Sequence, residues 1–529
     1  MPETVASPPK PVASLSPEQR KYLLLGLALA TGMEFYTFES VNLVLPDITG
    51  SLGVSFDEAS WVLTVYSSFL FLGVPLSFWF AGHFGYKRFL LWNTILFAAM
   101  SVGSAFAPAL GLMLVFRAIE GLAGAGLSVW WRASIYTILP REDRSQSMMI
   151  SSVRLYLASA AGLMLSGFLT DRLSWRLICV PNVLLAILAV RLLKSSFPEL
   201  PQADSLRLRN ADYPGLAFAA IGFLSLQVVL SRGHIDDWFG SPHIRLLTLI
   251  SAAALVAFVH WERSAKNRYP LMDMSLLMNR DVIASVFIGI FAGMILSGSL
   301  FVLPEFLRLV DSQTHSATQT GRLIASYALA GAALRPFMSR IIPKLGPRRT
   351  LFVALCMLIA SMLFFYRWLT VSTPDGYFLL PLALYATCVT MLLPAIGQGS
   401  FGKLEPRRLL DGIQIYMTFR QLGASLGVAF LTIVLEQRET LHSSRLYEHL
   451  SAGSGTSTAA LVSISRFLQA NSGASPVDAG LSSLGLLARL GAHQVEVLSY
   501  ADCFLFMATI GVLALPFIFL IAPPASPKK

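Results

Sequence analysis

Charged side chains stand inside long apolar stretches of this sequence, where each of them could do chemistry. The basic ones are Arg117, Arg132, Arg154, Arg335 and Arg420, and the acidic ones are Glu34, Glu39 and Glu120. A carboxyl group in apolar surroundings can take up and release a proton, and a guanidinium can bind a planar anion. These residue types predict proton uptake and solute recognition.

Other chemistry finds no support in the sequence. It contains no phosphate-binding loop, no zinc-ligand spacing and no arrangement of a nucleophile with a base. None of the eight histidines falls well inside an apolar stretch, so a histidine proton relay is not expected. We therefore expect no enzymatic activity, no ATP hydrolysis, no metal and no cofactor.

The elements that hold these charges are apolar enough to cross a membrane. Hydrophobic residues make up 55% and charged residues 13% of the chain, with a mean hydropathy of +0.63. A soluble protein averages about 25% charged residues. Runs long enough to span a bilayer lie near 21–45, 59–81, 88–107, 110–139, 147–170, 175–195, 213–231, 244–262, 281–307, 319–342, 349–369, 376–399, 411–435 and 500–522. The sequence predicts an all-α membrane protein of about 14 helices, surrounded by membrane lipid.

The net charge of +10 sets the expected orientation. Most Lys and Arg residues fall in the tails and the even-numbered connections, and positive charge is retained on the cytoplasmic side. We therefore expect both termini in the cytoplasm and no nucleic-acid partner. The four cysteines fall within predicted helices and are expected to be packing residues.

One stretch occurs twice. It reads "PLSFWFAGHFGYKR" at 75–88 and "PFMSRIIPKLGPRR" at 336–349. Gly85 and Arg88 of the first copy correspond to Gly346 and Arg349 of the second, and glycine allows a tight turn between two helices. We expect both turns to be mobile gating hairpins. Tyr66 and Tyr327 match at the same offset, which indicates two related halves.

The repeat and the apolar runs together predict the domain organisation. Two six-helix halves are separated by two additional transmembrane helices. The predicted segments are a cytoplasmic tail at 1–20, an N-terminal bundle at 21–195, a linker with the two extra helices at 196–280, five helices of the C-terminal bundle at 281–435, an extracytoplasmic loop at 436–499, the last helix at 500–522 and a cytoplasmic tail at 523–529.

Several motifs in a fixed order carry a family resemblance. They are "NLVLP" (42–46), "RAIEGLAGAG" (117–126), "SWR" (174–176), "LPEFLRLVDSQTHSATQTG" (303–321), "RQLGASLG" (420–427) and "YADCF" (500–504). The chain resembles the major facilitator superfamily, specifically the fourteen-helix drug:proton antiporters of the EmrB/QacA type. The resemblance implies alternating-access export of small compounds in exchange for protons.

The chain departs from that family pattern at several positions. Thr37 stands where the family usually has Asp, and Gly82 and Pro343 stand in the two hairpins, the first of them where an Asp is usual. The helix 5 antiporter motif is reduced to Gly162 and Gly167. These departures and the arginines support a second hypothesis, an uptake permease or facilitator for an organic anion. A membrane sensor that does not transport is a third.

Glu34 is the first candidate for proton coupling, because it falls near the middle of helix 1. Arg117 could compete with the proton for it, and Glu39 is the next candidate. The alternative is a permanent Glu34–Arg117 or Glu39–Arg117 bridge that only joins helices. Glu120 occupies the Gln position of the helix 4 motif, which favours a structural role over coupling.

The remaining arginines are candidates for substrate binding. Arg132 follows Trp131, and an aromatic ring beside a guanidinium can hold a planar or anionic ligand. The alternative is that Arg132 extends to the cytoplasmic interface. Arg154 is predicted to bind solute or to form an ion pair, and Arg420 could do either. Five arginines against three glutamates leave an excess of two positive charges, which predicts a neutral or anionic solute.

The predicted loop 436–499 combines Gly- and Ser-rich stretches with two segments that could form short amphipathic helices. The family resemblance implies a dock for a periplasmic adaptor protein. Alternatively, the loop covers its own bundle.

Overall fold

The computed structural model contains helices and no strands among the residues that it describes. Those residues are 15–198, 212–264, 266–267, 270–310, 315–401, 404, 408–449, 455–472 and 475–521. The predicted tail 523–529 lies wholly outside them, and the tail 1–20 and the linker 196–280 lie partly outside. The predicted all-α fold class is confirmed.

Fifteen α-helices follow one another along the described part of the chain. They are α1 Pro17–Leu52, α2 Phe56–Phe84, α3 Tyr86–Ala105, α4 Leu110–Ile138, α5 Arg141–Arg172, α6 Cys179–Ser196, α7 Tyr213–Arg232, α8 Pro242–Glu262, α9 Arg280–Glu305, α10 Ala317–Leu345, α11 Pro347–Trp368, α12 Gly376–Ile396, α13 Leu409–His449, α14 Gly455–Ser472 and α15 Pro476–Ala514.

The helices fit a protein that crosses the membrane many times. Each of the fourteen predicted apolar runs coincides with one helix, α1 to α13 or α15. Within the described residues, eleven helices are long and apolar enough to cross a membrane by length and composition alone, and α1, α3, α10 and α14 do not reach that limit. The chain is a multi-pass membrane protein, and the count of fourteen spans is approximate.

The helices form two bundles. The first half contains α1 to α6, in which α1 packs against α4, α5 and α6, and the second half contains α9 to α13 and α15. The halves meet where α5 lies against α10 and where α2 lies against α13. The pair α7 and α8 packs beside this second contact, because α7 touches both α2 and α13. The space between the halves is therefore bordered by the helices that carry the candidate charges.

The repeated stretch forms the same turn in both halves. Gly85 is the single residue between α2 and α3 and has φ 87°, and Gly346 is the single residue between α10 and α11 and has φ 74°. A side chain at such a φ is strained, so only glycine turns the chain freely here. The tight turn is present as expected, while the gating role of Gly85, Arg88, Gly346 and Arg349 stays a prediction.

The segment 436–499 differs from its prediction. We expected a loop with two short helices, whereas α13 continues through 436–449 and α15 begins at Pro476. The stretch 476–480 is the first part of α15, and α14 lies against α15. The cause is local sequence: no Gly or Pro interrupts 428–449, so nothing ends α13 where it leaves the apolar region.

Candidate functional site

A cavity of about 720 Å³ lies between the two halves. Helices α1, α4 and α5 of the first half and α9, α10, α12 and α13 of the second half contribute most of its lining. The walls are mainly apolar and aromatic, with a small number of charged side chains. A cavity of this size and character can enclose a small amphipathic molecule.

The cavity extends towards one end of the molecule only. Its lining reaches Arg144 near the start of α5 and Ser339 near the end of α10, which is the end where α1 begins. At the opposite end the halves are bonded together. Arg308 binds the Asp47 carboxylate at 2.9 Å and also the carbonyl of Leu43. The structure is therefore closed at the end where α1 finishes.

A second bond of the same kind closes that end. The backbone N–H of Thr318, in the first turn of α10, donates to the Asp171 carboxylate at 2.8 Å. Asp171 lies in the last turn of α5, so this bond also joins the two halves. A carboxylate at a helix N-terminus is favoured by the unpaired N–H groups there.

Glu34 lines the cavity and is 7% exposed. Among the described residues, no hydrogen-bond or ion-pair partner is recorded for its carboxyl group. Arg420 and Arg132 are close enough to act on Glu34 electrostatically, though neither forms an ion pair with it within 4.0 Å. A buried carboxyl group without a fixed partner is free to bind a proton or a solute.

Arg117 does not interact with Glu34 in the way that the sequence suggested. Its Nη1 binds the Glu120 carboxylate at 2.8 Å, and the two side chains are 1% and 0% exposed. The guanidinium also lies 4.1 Å from the centre of the Tyr66 ring. Neither the Glu34–Arg117 bridge nor the Glu39–Arg117 bridge forms, because the nearer partner is on the same helix, three residues along. Arg117 and Glu120 therefore lie apart from the solute cavity.

Glu39 is held by one hydroxyl from each half. Ser159 of α5 donates to its Oε2 and Tyr327 of α10 donates to its Oε1, both at 2.5 Å. Glu39 itself belongs to α1, so the bond from Tyr327 joins the first half to the second. All three side chains line the cavity. Tyr327 is the repeat-related counterpart of Tyr66, and this inter-half bond was not expected from the sequence.

Arg132 and Trp131 both line the cavity. The Arg132 guanidinium lies 4.4 Å from the centre of the Trp131 ring. The Trp131 Nε1 is buried without a hydrogen-bond partner. Arg420 lines the opposite wall and acts on Arg132 electrostatically. Two guanidinium groups thus offer donors to a solute anion.

Arg154, predicted to bind solute or to form an ion pair, does not line the cavity. The cavity-lining residues of α5 include Ser152, Leu155 and Ser159, and Arg154 is absent from the lining. Positions three or four apart share one face of a helix, and Arg154 falls on the other face. The position of Arg154 in the sequence predicted its depth in the membrane but not the direction of its side chain.

Other lining residues were not predicted to bind solute. Arg335 borders the cavity, and its Nη1 donates to the Thr390 carbonyl at 2.5 Å. Arg144 and five tyrosines also line the cavity: Tyr136, Tyr156, Tyr327, Tyr385 and Tyr416. Only the repeat offered a signal for any of the tyrosines.

The residues that line the cavity have the predicted excess of two positive charges, although they are not the same set as the residues named from the sequence. It contains four arginines and two carboxylates, which leaves two positive charges in excess when all six are ionised. The described residues contain no cluster of His, Cys, Asp and Glu that could hold a metal ion. The site is therefore suited to proton binding and to a polar or anionic head group.

Curated proteins resemble this chain over most of its length. Multidrug export protein EmrB of Escherichia coli strain K12 is 27% identical over 431 residues, covering 81% of this chain and 83% of EmrB. Fatty acid resistance protein FarB of Neisseria gonorrhoeae is 24% identical over 510 residues, covering 95% and 96%. These similarities extend across both halves and the helices between them.

A solved structure shares the fold. The xylose transporter XylE of E. coli, in a partially occluded inward-open conformation, matches with a TM-score of 0.57 and 13% identity, covering 97% of this chain and 100% of XylE. The sequence model of the Major Facilitator Superfamily matches residues 27–428, which is more than half of the chain. Two bundles around one central cavity are the fold expected of that match, and the chain belongs to the Major Facilitator Superfamily.

Proposed function

We propose that the protein exports small amphipathic compounds in exchange for protons, by alternating access of the cavity between its halves. The observation that carries the proposal is Glu34, a buried carboxyl group without a fixed partner in that cavity. The similarity to a multidrug export protein supports the direction of transport. We also propose that the termini are cytoplasmic and that the membrane is the bacterial inner membrane.

The proposed cycle follows from the two ends of the cavity. With cytoplasmic termini, the open end faces the cytoplasm, and solute enters there and displaces the proton of Glu34. The halves then tilt, so that the Arg308–Asp47 and Thr318–Asp171 bonds at the other end break. Solute leaves, Glu34 takes up a proton from outside, and the protonated carrier returns. Each bond named here is made in the present conformation and must be remade in each cycle.

The test of this function uses the purified protein in lipid vesicles with an imposed proton gradient. We expect Glu34→Gln to lose uphill accumulation of solute and to keep solute–solute exchange, because the amide has the same shape but cannot gain or lose a proton at working pH. Glu39→Gln is the matched variant five residues along the same helix, and we expect it to retain coupling. Uphill accumulation by Glu34→Gln would show that Glu34 does not couple transport to protons. If only Glu39→Gln lost uphill accumulation, the coupling role would belong to Glu39.

A second candidate function is uptake of an organic anion, and the excess of arginines in the lining favours it. The two candidates differ in how the proton and the solute affect each other. Exchange requires a solute that expels the proton. An anion at Arg132 and Arg420 is repelled by ionised Glu34 and binds better once Glu34 is protonated. Proton and anion then travel together, which is cotransport inwards.

The pH dependence of solute binding separates the two candidates. We expect affinity for a matched cationic or neutral amphiphile to fall as the pH falls, and affinity for an anionic one to rise. Arg420→Gln should weaken anion binding, whereas Arg154→Gln, which lies outside the cavity lining, should leave it unchanged. An affinity for anions that exceeds that for cations, rises with acid and depends on Arg420 would establish uptake in place of export. Binding without transport in either direction would leave a sensor.

We propose that the protruding segment formed by the ends of α13 and α15 with α14 is a dock for a periplasmic adaptor protein. The support is the resemblance to EmrB-type exporters and the length of these helices beyond the apolar region. The alternative is that the segment covers its own bundle. Deletion of 450–475 with a short linker should abolish binding of a purified adaptor and leave vesicle transport intact. Loss of vesicle transport would instead support the covering role.

A further inference from the structure

A second, much smaller cavity lies inside the first half, away from the solute cavity. Its volume is about 20 Å³, and its lining comes from α1, α3, α4 and α6 together with the turn before α6. One water molecule needs a cavity of roughly 10–15 Å³ measured in this way. The cavity therefore has room for a single water molecule and for nothing larger.

Four buried polar atoms without hydrogen-bond partners belong to residues that line this cavity. They are Ser40 Oγ, Arg117 Nη2, Glu120 Oε1 and Asn182 Oδ1. Buried polar atoms in folded proteins are nearly always paired with protein or with ordered water. Four of them at one small cavity point to a shared partner.

The remaining atoms of these groups are already engaged. Arg117 uses Nη1 on the Glu120 Oε2 and Nε on the Val62 carbonyl, and Tyr66 covers one face of its guanidinium. Asn182 donates its Nδ2 to the hydroxyls of Thr37 and Ser101, at 2.7 and 2.8 Å.

The four free atoms match the hydrogen-bonding capacity of one water molecule. Water donates two hydrogen bonds and accepts two. Glu120 Oε1 and Asn182 Oδ1 accept, while Arg117 Nη2 donates and the Ser40 hydroxyl can donate. We propose that this cavity binds one structural water molecule, which completes the hydrogen bonding of the Arg117–Glu120 ion pair and ties it to α1 and α6.

The proposed water gives each carboxyl oxygen of Glu120 a partner of its own, Arg117 on Oε2 and water on Oε1. The ion pair is then fully hydrogen-bonded within the first half, away from the solute cavity. This role is separate from that of Glu34, which lines the other cavity. This inference goes beyond the proposed function and does not rest on it.

The test is radiolytic footprinting of the full-length protein in detergent. Radicals formed from a bound water oxidise the side chains beside it, whatever their exposure to solvent. Met113 lines the small cavity and is 2% exposed. Met33 and Met362 are 0% exposed and line neither cavity, so they serve as internal references. We expect Met113 to be oxidised and the two references to be spared.

Ser40→Val provides the decisive comparison, because it fills the cavity and removes one hydrogen-bonding group. Met113 oxidation should fall to the rate of Met33. Ser134→Val is the matched control, since Ser134 is a buried serine of α4 whose Oγ also lacks a partner and which lines neither cavity. It should perturb packing equally and leave Met113 oxidation unchanged.

The outcomes separate this proposal from the proposed function, since footprinting requires neither transport nor a proton gradient. Met113 spared in the wild-type protein would overturn the proposal. Met113 oxidised equally in the wild type and in Ser40→Val would also overturn it. If Ser40→Val fails to fold, Ser40→Ala, which keeps the room but loses one bond, is expected to retain Met113 oxidation. An experimental map with no water density at this cavity would then overturn the proposal.

Discussion

Tyr327→Phe should shift the balance between the two access states, because it removes a hydrogen bond that joins the halves. Tyr327 of α10 donates to Glu39 of α1 at 2.5 Å, in the part of the cavity that leads to the closed end. A hydrogen bond within a protein contributes about 0.5–1.5 kcal/mol to stability. If the bond is absent once the halves separate there, its loss raises the ratio of open to closed molecules at that end by about 2- to 13-fold.

Ser159→Ala is the matched control. Ser159 donates to the other oxygen of the same carboxylate at 2.5 Å, but α5 and α1 belong to the same half. That bond persists in both access states, so its loss should not change their balance. Each variant removes one hydrogen bond to the same carboxyl group, but only the bond from Tyr327 joins the two halves. A difference between the variants therefore reflects where the bond lies and not how strong it is.

The assay is a distance measurement between spin labels at the closed end. Gly50 of α1 and Gly376 of α12 are exposed, belong to different halves and have free space for a side chain, so cysteines there can carry the labels. The half-buried Cys356 is replaced by Ser beforehand. We expect a longer distance to gain population in Tyr327→Phe and not in Ser159→Ala. Equal shifts in both variants, or none in Tyr327→Phe, would refute the gating role of this bond.

Two further expectations concern the hairpins and the buried ion pair. Gly85→Ala and Gly346→Ala should each lower the free energy of unfolding by about 1–3 kcal/mol, because both glycines have a positive φ. The temperature midpoint of unfolding in detergent should fall accordingly, and an unchanged midpoint would contradict the strain. Glu120→Leu should cost about 3–5 kcal/mol by leaving Arg117 buried and unpaired, and Arg117→Leu combined with it should recover most of the folded yield in size-exclusion chromatography. No recovery would mean that the pair has a role besides neutralising charge.

The fold followed from the sequence because apolar length and period decide it. Fourteen apolar runs coincide with fourteen helices, and the repeated glycine turn placed the two halves in register. The protruding end of α13 was missed, although the absence of Gly and Pro in 428–449 was a visible signal. A search for apolar runs places the end of a helix where polar residues begin. The helical backbone itself continues until a residue such as Gly or Pro interrupts it.

Side-chain partners were harder to predict than helices. Arg117 had three carboxyl groups within reach, and the i, i+3 spacing to Glu120 favoured the one that it binds. The direction of Arg154 could not be read from hydropathy, because both faces of α5 are apolar in places. The bond from Tyr327 to Glu39 joins residues 288 positions apart, and only the packing of the halves brings them together.

The unbroken length of α13 has a mechanical consequence. Its 41 residues extend about 60 Å at 1.5 Å per residue, while the hydrocarbon core is about 30 Å thick. His442 and Asp502, 3.0 Å apart, fasten the protruding end of α13 to α15. When a rigid helix tilts about the membrane midplane, each point on it moves in proportion to its distance from that midplane. The tip of α13 therefore travels about three times as far as the part of α13 at the membrane surface. The protruding end of α13 therefore acts as a lever arm. In the proposed cycle, a molecule bound to it is displaced further than the bundle itself each time the second half tilts.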